Sequence, residues 1–195
     1  MILSYLLLAH LLGDFVLQPS KLVVWKRESK VGTLVHASIH FLLSLLLLSP
    51  FIVQGYYELI IVAFVVSFLH FWIDEAKIGY DLKHDKKVAP FLLDQLLHIL
   101  VILSTFLVLR DLSYDLPQGG FYQAYQDMHI LTFFASLIMV SRVFDIYYFQ
   151  KYREKNNKAN LKINTNKMLS RIIILCFIYS IFMLISFYAR YSDAL

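Results

Sequence analysis

Pairs of ionisable side chains recur at one four-residue spacing in the first half of the chain. They are His10 with Asp14, His36 with His40, His70 with Asp74, and Asp94 with His98. On an α-helix, residues i and i+4 share one face about one turn apart, so each pair points two metal ligands the same way. The surroundings are strongly apolar, where an ionisable side chain indicates a functional site by default. The pattern predicts one buried site assembled from several helices.

Imidazoles and carboxylates without thiolates suit zinc, iron or manganese, and zinc is the most frequent catalytic ion of the three. The single cysteine, Cys176, excludes a thiolate cluster. The predicted metal ligands are His36, His40, His70, Asp74 and His10. Among them His36 and His40 come first, because both are neutral nitrogen donors on one helical face. Eight candidates are too many for one ion, so either two metals share the site or some of these residues orient the ligands.

The remaining polar residues near these pairs receive supporting roles. Catalytic roles are assigned to Asp94, Asp14 and His98, a carboxylate acting as general base and a histidine orienting it. Hydrogen bonds to the ligands are assigned to Gln18, Gln95 and Asp145. For Arg142 the spacing favours an ion pair with Asp145, three residues further along. Arg142 is also the predicted substrate-binding residue, because its planar guanidinium suits a phosphate or carboxylate.

Three other interpretations of the same residues stay open. Each His–Asp pair could neutralise itself and serve packing alone. The groups could instead form a proton relay or an ion-coupled transporter, or the site of a di-iron membrane oxidase. Each buried charge costs about 2.5–3.5 kcal/mol at the centre of a membrane helix. A divalent cation compensates several such groups together, so we favour a metal.

Long apolar stretches must position these residues. The 195 residues are 59% hydrophobic and 16% charged, with mean hydropathy +0.63, which is too apolar for an ordinary soluble domain. Apolar stretches cover about 2–18, 32–53, 57–76, 89–109, 129–149 and 168–189. Each is near the roughly 20 residues that a helix needs to cross a membrane, and their leucine-rich runs lack the alternation of barrel strands. The sequence predicts an all-α, polytopic membrane protein with about six transmembrane helices.

Basic residues follow the first, third and fifth stretches, in loops 19–30, 77–88 and 150–167. The positive-inside rule assigns these loops to the cytoplasm and places both termini outside. The same distribution explains the net charge of +4 without nucleic acid. The paired residues then lie in the cytoplasmic leaflet, and we expect a cavity there that opens to the cytoplasm.

One membrane domain is expected over residues 1–195, with its His/Asp-rich core in 1–110. Helices 129–149 and 168–189 are expected to support this core, and 150–167 to form a mobile cytoplasmic loop. The N-terminus lacks a basic region and a small-residue cleavage site, so we expect it to be retained as a span.

Four motifs carry a resemblance to a known family. HLLGDFVLQ at 10–18, HASIH at 36–40, HFWIDEAK at 70–77 and FLLDQLLH at 91–98 resemble an uncharacterised bacterial membrane family, domain of unknown function 3307. A looser similarity, through His70 and Asp74, relates the chain to predicted membrane-bound metal-dependent hydrolases. These resemblances imply a multi-pass protein of the bacterial inner membrane that binds a divalent metal. We expect a hydrolase whose partners are membrane lipids and whose substrate is a lipid or a lipid-linked molecule.

Overall fold

The computed structural model describes residues 1–84, 87–156 and 165–192, and every regular element in these ranges is helical. The helices are α1 (Ile2–Phe15), α2 (Ser20–Glu28), α3 (Lys30–Val53), α4 (Glu58–Asp81), α5 (Val88–Ser104), α6 (Phe106–Leu109), α7 (Gly120–Tyr125), α8 (Met128–Ile138), α9 (Phe144–Asn156) and α10 (Thr165–Ser192). A π-helical turn, Met139–Val143, joins α8 to α9.

The predicted fold class is confirmed. Within the described ranges, five helical segments are long and apolar enough to cross a membrane: Lys30–Val53, Glu58–Asp81, Val88–Leu109, Met128–Lys155 and Thr165–Ile185. The bent pair α1 and α2 makes a sixth if it is taken as one span. This composition is consistent with a membrane protein.

The first predicted span, 2–18, ends slightly early, and the chain bends sharply after it. Helix α1 ends at Phe15, and α2 leaves it at an angle of 88°. Pro19 directly precedes α2, and the residue before a proline is disfavoured in the α conformation, so the chain turns at this point. Residues 20–28, expected as part of a basic loop, are therefore a helix that folds back against α3.

A close backbone approach at Gly32 holds α2 against the start of α3. A Cβ atom built on Gly32 would lie 2.5 Å from the carbonyl carbon of Trp25 and 2.6 Å from the amide nitrogen of Lys26. Only glycine allows this approach, because any side chain would overlap backbone that cannot move aside. The Ser29 side chain caps α3 by accepting a hydrogen bond from the Val31 amide at 3.1 Å, which fixes the turn between the two helices.

The end of the bundle away from the basic segments is closed by aromatic side chains. Tyr5 is almost fully buried and donates a hydrogen bond to the Tyr125 carbonyl, and the Tyr125 hydroxyl donates to the Leu47 carbonyl. Burial raises the pKa of Tyr125 to about 12, so this phenol stays a neutral donor. Phe51 packs edge-on against Tyr5 in the same cluster. This end of the bundle is therefore closed by a packed, uncharged layer of aromatic side chains.

Helices α8, α9 and α10 lie at the periphery of the bundle. The apolar window of α10 has no buried residue, whereas that of α3 is the most buried of the five candidate spans. Helix α9 continues to Asn156 and α10 begins at Thr165, so both ends of the loop expected over 150–167 are helical. Its central part, 157–164, lies outside the described residues.

Candidate metal centre

The four predicted pairs meet in one cluster. They come from the end of α1, the first half of α3, the second half of α4 and the middle of α5. Seven of the eight side chains are buried, and the side chain of the eighth, Asp14, is only 9% exposed. The helical faces inferred from the four-residue spacing therefore do converge, at the end of the bundle next to α2 and the basic turn after α4.

The carboxylate of Asp14 lies at the centre of the imidazoles. Its Oδ1 atom is 3.0 Å from Nε2 of His36, 3.0 Å from Nε2 of His40 and 3.6 Å from Nε2 of His70. The Nε2 atoms of His36 and His40 are 3.2 Å apart. Gly13 makes room for this packing, since a Cβ atom there would overlap the His40 ring.

These separations match the spacing of ligands around one ion. Donor atoms bound tetrahedrally at 2.0–2.1 Å from a metal lie about 3.3 Å from one another. Three overlapping groups of donor atoms in the described part of the chain lie close enough to hold a metal: His10, Asp14, His40 and His70; His36, His70 and Asp74; and Asp14, Asp94 and His98. All five predicted ligands thus belong to a group that could bind metal, and Asp14, predicted as a catalytic base, belongs to two.

Two imidazole nitrogens point into the cluster without a hydrogen bond. Nε2 of His70 and Nε2 of His98 are buried and unpartnered, and so is Oδ1 of Asp94. The nearest carboxylate oxygens are 3.5 Å from His70 Nε2 and 3.4 Å from His98 Nε2, with poor alignment. Buried polar atoms are rarely left without a partner in native structures, and a bound ion or water is one way of satisfying them. A metal ion fits this donor set.

Two lysines from the segments expected to form basic cytoplasmic loops, Lys26 and Lys77, belong to the cluster. Lys26 of α2 is 9% exposed, and its ammonium donates to Oδ2 of Asp74. Lys77 of α4 donates to Oδ2 of Asp94 at 2.9 Å. Lys77 could have been found from the sequence, because it follows Asp74 by three residues and His70 by seven on one helical face. Lys26 gave no such signal, since only the folding of α2 against α3 brings it inward.

The two glutamines connect the cluster as expected. Gln18 Nε2 lies 2.9 Å from Nε2 of His36. Gln95 donates to Oδ2 of Asp14 at 3.0 Å and to Oδ2 of Asp94 at 3.1 Å, while its Oε1 atom is 3.3 Å from His10 Nε2. Gln95 thus joins two carboxylates and one imidazole, and whether it orients metal ligands stays a prediction.

Asp145 and Arg142 lie apart from the cluster. Asp145 accepts a hydrogen bond from Nη2 of Arg171 at 2.6 Å, so the ion pair expected between Arg142 and Asp145 is not formed. Arg171 reaches Asp145 from α10, which packs beside the π-helical turn. Arg142 is exposed, with no hydrogen bond or ion pair to the described residues. A hydrogen bond from Asp145 to a metal ligand is absent from the described part of the chain, and substrate binding by Arg142 stays a prediction.

Inside the cluster the side chains themselves fill most of the space, and the expected cavity open to the cytoplasm stays a prediction. The cavity beside His10, His40, His70 and His98 holds only about 10 Å³, roughly the volume for one water molecule. A larger groove of about 450 Å³ opens between α4 and α5 and is lined by Lys77 and Asp94. Asp94 is therefore the one predicted site residue that faces both this groove and the cluster.

Comparison with known proteins gives one match. A family model described as a protein of unknown function, DUF3307, matches residues 2–118. Neither the curated proteins nor the solved structures contain a match to the chain. The matched range includes α1 to α5 and all eight paired residues, and it excludes Arg142 and Asp145. The chain therefore belongs to the DUF3307 family.

Proposed function

We propose that this protein is a membrane-embedded hydrolase that uses one divalent metal, most simply zinc, and acts on a lipid or lipid-linked substrate from the cytoplasmic leaflet. The observation that carries the proposal is the position of Asp14, whose Oδ1 atom lies 3.0–3.6 Å from three imidazole nitrogens. We assign His36, His40, His70 and Asp14 as the candidate ligands. A catalytic zinc keeps one position for water, so three of the four would bind at a time.

Charge balance favours one ion over two. The cluster contains three carboxylates, Asp14, Asp74 and Asp94, and the last two are already paired with Lys26 and Lys77. With neutral histidines the net charge is −1, because three carboxylates face two ammonium groups. One divalent ion changes this to +1, whereas two ions would bury a charge of +3. An uncompensated buried charge of that size is costly.

Asp94 is the best placed general base. Its Oδ2 atom is occupied by Lys77 and Gln95, but its Oδ1 atom is buried without a hydrogen bond and faces His98. In the proposed hydrolysis Asp94 takes a proton from water, and the water oxygen bonds to the phosphorus or carbonyl carbon of the ester. The ester bond to the leaving oxygen then breaks, and that oxygen takes the proton back. A bound metal would act as a Lewis acid on the substrate oxygen.

Metal content tests the first half of the proposal. Protein purified without chelators should contain about one transition metal per chain. Asp14→Asn, His36→Ala and His40→Ala should each lose it, whereas Gln18→Ala should weaken affinity only about 10–100-fold. His84→Ala is the matched control, because His84 is exposed and stacks on Tyr80 away from the cluster. The proposal is falsified if wild-type protein contains no stoichiometric metal.

Product formation tests the second half. Incubation of the metal-loaded protein with phospholipids or isoprenoid phosphates should give a hydrolysis product. Asp94→Asn should abolish this product while keeping the metal, because Asp94 lies outside the ligand set that we assign. If Asp94→Asn forms product at the wild-type rate, Asp94 is not the base.

A carrier is the second candidate, and the break between α1 and α2 favours it. Transporters often place their ion site beside a discontinuous helix, and Asp14 and Gln18 lie at this break. A carrier must also expose its site to the other side of the membrane, where the tyrosine layer now closes the bundle. Proteoliposomes should therefore show no metal-coupled or proton-coupled flux. Robust flux that Asp14→Asn removes would favour the carrier.

A further inference from the structure

A long apolar groove runs along the outside of the bundle between α4 and α5. Its first part, of about 450 Å³, adjoins a second of about 470 Å³, and both are lined by Ile73, Ala76 and Leu97. The two parts therefore form one continuous groove. It extends from Leu69 to Tyr80 along α4, which is about 16 Å at 1.5 Å per residue. That length is about half of the roughly 30 Å hydrocarbon core, the depth of one leaflet.

The walls of this groove are apolar and face outward. Two small residues, Ala76 and Ala89, line it, and Trp72 and Leu93 are large exposed side chains beside it. In a membrane such a surface lies against lipid chains. The shape suits a single acyl chain running parallel to α4 and α5.

Among the residues that the structure describes, charge in the groove lies at the end next to the metal centre. The charged lining residues described there are Lys77 and Asp94. Lys77 is 23% exposed, and its ammonium carries three donors, of which one goes to Asp94. The other donors can reach an anion in the groove. Since Oδ1 of Asp94 also lies 3.4 Å from Nε2 of His98 in the cluster, an anion held by Lys77 would lie directly beside the candidate metal centre.

From this arrangement we infer that the α4/α5 groove binds the acyl chain of a phospholipid with a net negative headgroup and that Lys77 holds the lipid phosphate beside Asp94. Lys77 then takes the substrate-binding role that the sequence suggested for Arg142. That the bound lipid is the substrate rests on the proposed function, whereas the binding itself does not. Lipid binding and catalysis can therefore be tested separately.

Trp72 provides a direct reporter, because it lines the groove. The chain has two tryptophans, so a Trp25→Phe background leaves Trp72 alone. Reconstitution into mixtures containing brominated phosphatidylglycerol or brominated phosphatidylcholine measures which lipid quenches Trp72. One basic residue at a membrane surface contributes about 1 kcal/mol towards an anionic lipid. We therefore expect about a fivefold preference for phosphatidylglycerol, and Lys77→Gln should bring it to about one.

Two substitutions on α4 test whether the lipid binds in the groove or elsewhere on the surface of the helix. Ala76→Leu should fill the groove and abolish the preference while leaving the Lys77–Asp94 pair in place. Gly79→Leu is the matched control, since Gly79 is exposed three residues away and a side chain there meets open space. Lys77→Arg should keep the preference for phosphatidylglycerol. This control distinguishes loss of the positive charge in Lys77→Gln from a folding defect.

The outcomes distinguish this inference from the proposed function. The fivefold preference should persist in protein stripped of metal by a chelator, whether or not any hydrolysis is found. Equal quenching by the two lipids in the wild-type background would overturn the inference even if the protein hydrolyses lipids. A preference that survives in both Lys77→Gln and Ala76→Leu would also overturn it, because the anionic lipid would then bind elsewhere.

Discussion

Lys26 gives the sharpest test of how the cluster is held together. Its ammonium and the Asp74 carboxylate are both less than 10% exposed and form an ion pair across 48 residues of sequence. Lys26→Met keeps most of the aliphatic volume but leaves Asp74 as an unpaired buried charge. Breaking a buried pair by removing one partner costs about 3–5 kcal/mol. The imidazoles of His70 and His36, at 3.5 and 3.7 Å from Asp74, offer partial compensation, so we expect about 3 kcal/mol.

Thermal unfolding of the metal-free protein in detergent measures this loss. For a chain of this size 1 kcal/mol corresponds to about 2–4 °C in Tm, so Lys26→Met should lower Tm by about 6–12 °C. Adding Asp74→Asn should recover much of the lost stability, because it removes the unpaired charge. Lys21→Met on the same helix is exposed and should change stability by less than about 0.5 kcal/mol.

A specific result would refute this reasoning. If Lys26→Met and Lys21→Met melt at the same temperature as the wild type, Lys26 does not reach Asp74. Helix α2 would then lie away from the cluster. Restoration by Asp74→Asn distinguishes loss of the ion pair from a general disturbance of α2, since the second substitution leaves α2 unchanged.

Two further predictions concern the placement of α2 and the orientation of the chain. Gly32→Val should destabilise the protein by at least about 3 kcal/mol, because its side chain would overlap the backbone of α2, whereas Gly79→Val should not; equal melting temperatures would contradict the close approach. In a Cys176→Ser background, a cysteine at Gln118 should react with a membrane-impermeant reagent in intact cells, and one at Lys83 should react only after lysis. The reverse pattern would place the basic loops outside.

The helices and the convergence of the pairs could be predicted because both depend on local spacing. A run of some 20 apolar residues and an i,i+4 pair of ligands are properties of one helix at a time. Each of the four helices buries its polar face, so the four faces meet in the interior of the bundle. The sequence therefore contained enough information to place His36, His40, His70 and Asp74 together.

The contacts that the sequence did not reveal all join distant segments. Lys26 sits among basic residues that look like a topology signal, and only the turn at Pro19 brings it to Asp74. How completely the side chains fill the space inside the cluster depends on their packing. The spacing of residues along the sequence does not determine that packing. Lys77 is the exception, because it shares a helical face with His70 and Asp74 and could have been assigned to the site.

The Arg171–Asp145 pair leads to the last prediction, because it replaces a local pairing that the sequence favoured. The guanidinium of Arg171 donates to the Val140 carbonyl at 2.7 Å through Nε and to Asp145 at 2.6 Å through Nη2. It thereby fastens α10 to the π-helical turn, and its planar geometry makes both contacts at once. Arg171→Lys should lose one of them and lower Tm, with metal content unchanged because the pair lies outside the cluster.

Arg142→Lys is the matched control for Arg171→Lys, since Arg142 is exposed on the π-helical turn, and it should leave Tm unchanged. If Arg142→Lys lowers Tm and Arg171→Lys does not, Arg142 is the partner of Asp145, as the local spacing suggested. Loss of metal in Arg171→Lys would instead extend the functional site to α10. Unchanged metal content in Arg171→Lys would agree with a centre built from α1 to α5, within the range that the family model matches.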